Sequence, residues 1–324
     1  MNKYVILTIS LLILSCSEKK PSDKALIDKT KINQSLSKTS IVILGTIQDA
    51  GSPQIACKKD CCSTLFDNPD VNRQVISLGL IDKENDKAYL FEATPDIGTQ
   101  MKILTSLNTE NNNEIVNGIF LTHAHIGHYS GLMYLGKEAM DAQNTPVFVM
   151  PKMKDFLSKN GPWDQLVLRK NVELHEMENR KSVNLSTSLK VTPFIVPHRD
   201  EYSETVGYRI EGPNKSALFI PDIDKWEKWE KDIIEEIKNV DYAFLDATFY
   251  SGEELENRDI SQIPHPFIIE SLEKFKGLSS KEKNKIIFIH FNHTNPVINH
   301  DSKERKLIHD QGFHIGEIQD VFEL

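Results

Sequence analysis

The sequence predicts a layered α/β sandwich, and three observations carry that reading. Short β-branched runs come in groups with amphipathic stretches inserted among them, which argues against a strict βαβ repeat. No Pro/Gly-rich linker divides the sequence midway, and no internal repeat appears at a solenoid period. The composition, 39% hydrophobic and 26% charged over 324 residues, suits one large domain or two ordinary ones with a real core.

The N-terminus reads as an address. Lys3 supplies a short positive region, and Val5 to Leu14 is apolar except for Thr8 and Ser10. That run is too short for a stable membrane span and fits the apolar core of a signal peptide. It ends Ile13-Leu14-Ser15-Cys16, which resembles the lipobox of bacterial lipoproteins. The resemblance implies lipid on Cys16, export, and anchoring in the cell envelope. Leu14 departs from the pattern, where a smaller residue is more usual. An ordinary cleaved signal peptide and a first buried strand are the alternatives. Residues 17–39 are rich in Lys and Ser and are expected to be a disordered tether. The folded domain is then 40–324.

Residues 40–46 are a β-branched run with Gly45 near its end, hence a buried strand, and a Gly/Pro/Cys loop follows to Asn72. Residues 74–82 and 88–94 read as strands around a turn at 84–87, and 97–107 has helical spacing. Residues 118–122 form a strand running into His123. A helix is expected over 129–140 and a strand over 146–150, where Pro146 at the first position costs no ladder bond. Residues 151–160 read as a helix opened by Pro151. In the second half, strands are expected at 189–196, 206–211, 216–220, 242–246 and 285–290. Helices are expected at 226–240, with Trp229, Ile233, Ile237 and Val240 on one stripe, and at 266–275. Residues 313–324 close the chain.

The formal charge is −9, from 38 Lys+Arg against 47 Asp+Glu, so a nucleic-acid binder working by phosphate neutralisation is not expected. Four cysteines are too few for a disulfide scaffold. Eleven histidines are many, and three of them fall in six residues: Thr122-His123-Ala124-His125-Ile126-Gly127-His128. Two imidazoles one residue apart at a strand end can converge on one ion, and a third can point back from the next helix. Such a set leaves a coordination position for water. The ion lowers that water's pKa and polarises a substrate oxygen.

This segment resembles the His-x-His-x-Asp-His signature of the metallo-β-lactamase fold, and further stations follow in order. Pro197-His198 matches the next metal histidine, Asp222 after Ile220-Pro221 the bridging carboxylate, and His290 the last histidine. Thr94-Pro95-Asp96 matches an early acidic position. The Ala50-Gly51-Ser52-Pro53-Gln54 loop, Ala93 to Asp96 with Gln100, and Asn292 with Thr294-Asn295-Pro296 are similar to the pyrroloquinoline-quinone biosynthesis protein B group. The match runs from about Ile41 to Leu324.

The resemblance implies a four-layer αββα sandwich with metal ligands His123, His125, His128, His198, Asp222 and His290. It implies one or two zinc ions, iron being the alternative, with Asp222 and His290 at the chemistry. The implied activity is hydrolysis of an ester, phosphodiester or related bond in an unidentified small molecule. An iron-dependent oxidative role like that of the quinone group is the runner-up, and a non-catalytic binding protein is a third reading. Oligomeric state is not legible in the sequence.

One position departs: Gly127 stands where the signature has Asp. The site of His123, His125 and His198 is complete, whereas that of His128, His290 and Asp222 lacks one donor. Either its ion binds weakly or His293 or His265 substitutes. Gly127 itself would serve a positive φ or a close approach to substrate. Asp96 is expected either to hold a ligand histidine or to cap the helix at Ile97, and Asp246 to serve the site or its turn. Relatives carry a loop cysteine cluster that binds structural zinc. Here that implies Cys57, Cys61 and Cys62, with Asp60 or a distant His as fourth donor; one disulfide plus a free thiol is the alternative.

Overall fold

The computed structural model describes residues 36–107, 114–255 and 262–324. Two seven-stranded sheets dominate it. The first contains β1 (Thr39–Gly45), β2 (Ser77–Asp82), β3 (Lys87–Phe91), β4 (Gly118–Phe120), β5 (Thr145–Val149) and β6 (Val172–Glu176) in sequence order, with β14 (Val321–Glu323) added beside β1. The second runs β13-β12-β11-β10-β9-β8-β7, over β7 (Val183–Asn184), β8 (Lys190–Ile195), β9 (Val206–Glu211), β10 (Ser216–Ile220), β11 (Tyr242–Asp246), β12 (Ile286–Ile289) and β13 (His314–Ile315). Each sheet begins with antiparallel neighbours and continues with parallel ones joined through helices.

Side-chain alternation along the strands builds the layers. Ile41 and Ile43 of β1 face the space between the sheets, where Phe91, Phe120, Tyr208, Phe219 and Phe244 gather. Phe91 stacks on Phe120 at 5.0 Å and meets Phe219 edge-on at 5.9 Å, geometries that add to burial. Val42 and Leu44 point the other way, onto the helix Ile97–Leu107. Across the molecule, Leu218, Leu245 and Phe288 pack on Ile233, Ile237, Ile268 and Phe275. The order is therefore helix, sheet, sheet, helix, as expected.

Some elements differ from expectation. Residues 226–240 form no continuous helix: a 3-10 turn, Trp226–Lys228, is followed by extended Trp229 and the short helix Ile233–Lys238. Asp232 starts that helix by accepting the Ile234 N–H at 2.9 Å. The helix expected at 129–140 is a one-turn helix, Ile126–Tyr129, running into a 3-10 segment, Ser130–Leu135. Helices Trp163–Leu168 and Lys303–Asp310 and strand β6 were not predicted. The fold also reaches back into the predicted tether, since Leu36 packs on the core and Ser37 bonds Ser40. Cys16 and the apolar N-terminal run lie outside the described residues. Among the described residues no helix is long and apolar enough to cross a membrane.

Candidate metal centre

Parallel strands that share a direction present their carboxyl ends at one edge, where ligands collect. Here β4 leads through Leu121 and Thr122 into His123, β10 through Pro221 into Asp222, and β12 directly into His290, while β11 ends on Asp246. His125 caps the one-turn helix that carries His128, and His198 follows β8. His290 adopts φ 67°, a conformation that costs a non-glycine residue energy and re-aims its ring at the strand end.

Three donor groups share Asp222: the two described next, and a third of Asp222, Asp246, His265 and His290. In the first, His123, His125, His198 and Asp222 place one ligand atom each within 4.8 Å of the others. In the second, the set is Asp49, His128, Asp222 and His290. Asp222 spans both: Oδ1 lies 3.2 Å from His198 Nε2, and Oδ2 lies 3.3 Å from His123 Nε2 and 3.6 Å from His128 Nε2. These approaches are close, yet Nε2 of His123, Nε2 of His198 and Oδ1 of Asp222 are buried without a hydrogen bond. Buried polar atoms normally find partners. In the first group these unbonded atoms crowd around a common point, which fits a metal ion, and the imidazole and carboxylate chemistry of both groups suits zinc or iron.

The outer contacts orient the rings. Thr122 Oγ1 is 2.9 Å from His123 Nδ1, and Asp224 Oδ1 is 3.2 Å from His198 Nδ1. Thr248 Oγ1 is 2.9 Å from His290 Nδ1, and Glu92 Oε1 faces His128 Nδ1 at 3.5 Å as a charge contact with no hydrogen bond at either atom. The hydrogen-bonded partners fix tautomers and leave the opposite nitrogen for the ion. Burial pushes the Asp222 carboxyl up, but His198 and His265 outweigh it and hold it well below the usual carboxylate range. Burial opposes charge on His198 too, yet Asp222 and Asp224 raise it to about 9. Burial, reinforced by His128, drives His123 well below the ordinary imidazole value.

Several expectations are corrected. Asp96 touches no histidine: its Oδ2 accepts the Val75 N–H at 2.7 Å, so its carboxylate ties a neighbouring segment and neither orients a ligand nor caps its own helix. Glu92 is the acidic side chain that faces a ligand histidine instead. His293 is no substitute ligand, because its Nδ1 lies 3.4 Å from Cys61 Sγ and 3.3 Å from Cys62 Sγ. With Cys57 it completes a four-donor cluster, and Asp60 is not part of it. His265 does enter the site, with Nδ1 2.8 Å from Asp246 and 3.1 Å from Asp222. Asp246 is thus a site residue as well as a turn former, since it also accepts the Thr248 and Ile223 N–H groups. Asp49, Glu92 and Asp224 are missing from the predicted set. Asp49 stands one residue before the Ala50 to Gln54 loop. A carboxylate so close to a segment already singled out was its only signal.

A cavity of about 1140 Å³ opens beside the centre, lined by His265, Thr248, Asn292, Arg199, Lys58 and Lys59 among others.

Residues 87–291, well over half of the chain, match the family model described as the beta-lactamase superfamily domain. The chain belongs to the beta-lactamase superfamily. Within the superfamily it is PqqB-like. It is 24% identical over 303 residues to "Coenzyme PQQ synthesis protein B" of Methylorubrum extorquens (strain PA1), covering 84% of this chain and 96% of that one. Zn(2+)-bound PqqB from Methylobacterium extorquens superposes with a TM-score of 0.71 at 21% identity, over 88% of this chain and 100% of that one. A diphosphatase from the PhnP family follows with a TM-score of 0.59 at 21% identity, over 88% and 98%. The superfamily fold thus agrees with the helix–sheet–sheet–helix order, and the metal-site edge is where the two sheets' parallel strands end.

Proposed function

We propose that this superfamily member is a metal-dependent hydrolase of an anionic ester, a phosphodiester being the bond its cavity favours, and that it works from a lipid anchor at Cys16 outside the cytoplasm. The observation that carries the reading is the pair of donor groups sharing Asp222. Ions held there would supply a nucleophilic water at neutral pH and polarise a substrate oxygen. Asp222 ties the two groups together: its Oδ2 faces His123 of the first and His128 of the second, while its Oδ1 faces His198. Arg199, Lys58 and Lys59 line the cavity and suit a negatively charged substrate. His265 lines the same cavity, and Asp246 holds its Nδ1, which keeps the ring in one orientation and favours its protonated form. It is therefore placed to give a proton to the departing oxygen.

A second reading is a role in coenzyme PQQ synthesis, which we take as oxidative and iron-dependent. Relatedness favours a coenzyme PQQ synthesis role over hydrolysis, because the curated relatives carry that name across nearly their whole length; the metal named in a solved relative is Zn(2+). The deciding experiment measures metal identity in the purified protein together with turnover of bis(p-nitrophenyl) phosphate. Phosphodiester turnover that is abolished by Asp222→Asn supports hydrolysis. Iron at the histidines with dioxygen uptake and no ester cleavage would replace it with the second reading.

A further inference from the structure

The second donor group contains a carboxylate that the superfamily signature does not provide. The structure assigns to Asp49 the ligand role lost at Gly127: we propose that the carboxylate of the second metal site has moved from the histidine motif to the loop after β1, and that Gly127 is the compensating change.

Three observations converge on this exchange. Asp49 Oδ1 lies 2.9 Å from His128 Nε2 and 3.1 Å from His290 Nε2, between the two imidazoles that with Asp222 lack one donor. A Cβ built on Gly127 would lie 2.4 Å from Asp49 Cα, 2.6 Å from its Cβ and 2.9 Å from its Cγ. The space that a side chain at 127 would enter is therefore filled by Asp49 itself. Gly127 is not among the glycines with positive φ, so backbone conformation does not explain it; close approach does. Finally, Asp49 is held by backbone pairing. The Gln48 N–H donates to the Phe291 carbonyl at 2.9 Å and the Phe291 N–H to the Thr46 carbonyl at 2.7 Å, with Ile47 bridged to Phe291. This pairing fixes residue 49 next to residue 290, as a ligand carried on rigid backbone requires.

The exchange is reciprocal, so each half fails alone. Residue 127 cannot carry a carboxylate while Asp49 occupies the space, and Asp49 could not settle there against any side chain at 127. The inference rests on the metal centre and not on the reaction, so its test reads metal. Wild-type protein, Asp49→Asn and Gly127→Asp would be loaded with zinc. Ions per chain would be counted by mass spectrometry, and each affinity measured against a competing chelator. Wild type is expected to hold two ions at the histidines. Asp49→Asn, equal in size but uncharged, should keep the ion of His123, His125 and His198. It should weaken the other by at least about 100-fold, the upper end of what loss of a mere outer partner costs. Gly127→Asp alone should not gain an ion. A wild-type count of one at the histidines, full affinity in Asp49→Asn, or a gain of metal in Gly127→Asp alone would each overturn the assignment.

Discussion

Replacing Cys62 by Ser tests whether Cys57, Cys61, Cys62 and His293 hold a structural zinc. Cys61 and Cys62 Sγ are 3.9 Å apart. Two thiolates on one tetrahedral zinc, each about 2.3 Å from it, would lie roughly 3.8 Å apart. A disulfide would need about 2.05 Å. Cys62 is fully buried, and its sulfur accepts the Gln54 N–H at 3.4 Å, so the site is preformed. Four-donor zinc sites are worth roughly 10–16 kcal/mol at neutral pH, or about 2.5–4 kcal/mol per donor if shared equally. A serine hydroxyl is not ionised and is a poor zinc ligand. Loss of one thiolate should therefore weaken zinc by about 100- to 1000-fold. The assay is zinc release to a chromophoric chelator, with total zinc per chain as control. A pH series adds a second reading. Burial and the adjacent thiols push Cys61 up to about 12, and burial raises Cys62 also, while burial lowers His293. Near neutral pH the ion must displace protons from both thiols. Apparent affinity should then rise about 100-fold per pH unit from these two groups alone. Unchanged zinc affinity in Cys62→Ser, or an affinity flat in pH from 6 to 8, refutes the reasoning.

His125→Ala should remove most of the ion bound by His123, His125 and His198, because three donors remain where four converge; wild-type metal content and activity in this variant would show the assignment to be wrong. Stripped of metal, the protein should lose stability as pH rises from about 6.5 to 9. His198 is raised from 6.5 to about 9, so its contribution is full below 6.5 and disappears as pH passes its folded value. The loss is on the order of 3 kcal/mol, or roughly 5–10 °C in Tm for a domain of this class, and calorimetry of chelated protein at pH 6 and pH 9 that shows Tm rising would contradict it. Cys16→Ala should move the protein from the membrane fraction to the soluble one, and unchanged attachment on fractionation would count against a lipid anchor.

Much of this molecule was legible because its signals are local. A β-branched run that ends in His or Asp marks both a strand and a ligand, and His123, His198, Asp222 and His290 all sit at such ends. The stretch 226–240 misleads for a physical reason. Trp226, Trp229, Ile233 and Ile237 are all buried, as a helical stripe would be, but a 3-10 turn and a short helix bury them equally well. Asp232, a preferred helix opener, was the clue that the helix starts late. His265 and His293 depend on where loops fall, which no periodicity records. Asp49 depends on the pairing of Ile47 with Phe291 across more than two hundred residues.

The case of Gly127 carries a wider argument. A metal motif constrains where donor atoms lie in space, and the chain positions that supply them are one solution among several. A missing letter in such a motif therefore says little until the vacated volume is inspected. Had Gly127 faced an open space, loss of the second site would follow. Instead a Cβ there would strike the backbone of a residue whose carboxylate touches both orphaned histidines. Backbone at 2.4 Å cannot yield as a flexible side chain could, so glycine at 127 is a requirement of the site as it stands. The same residue that reads in the sequence as a lost ligand is, in the folded chain, the one that makes room for its replacement.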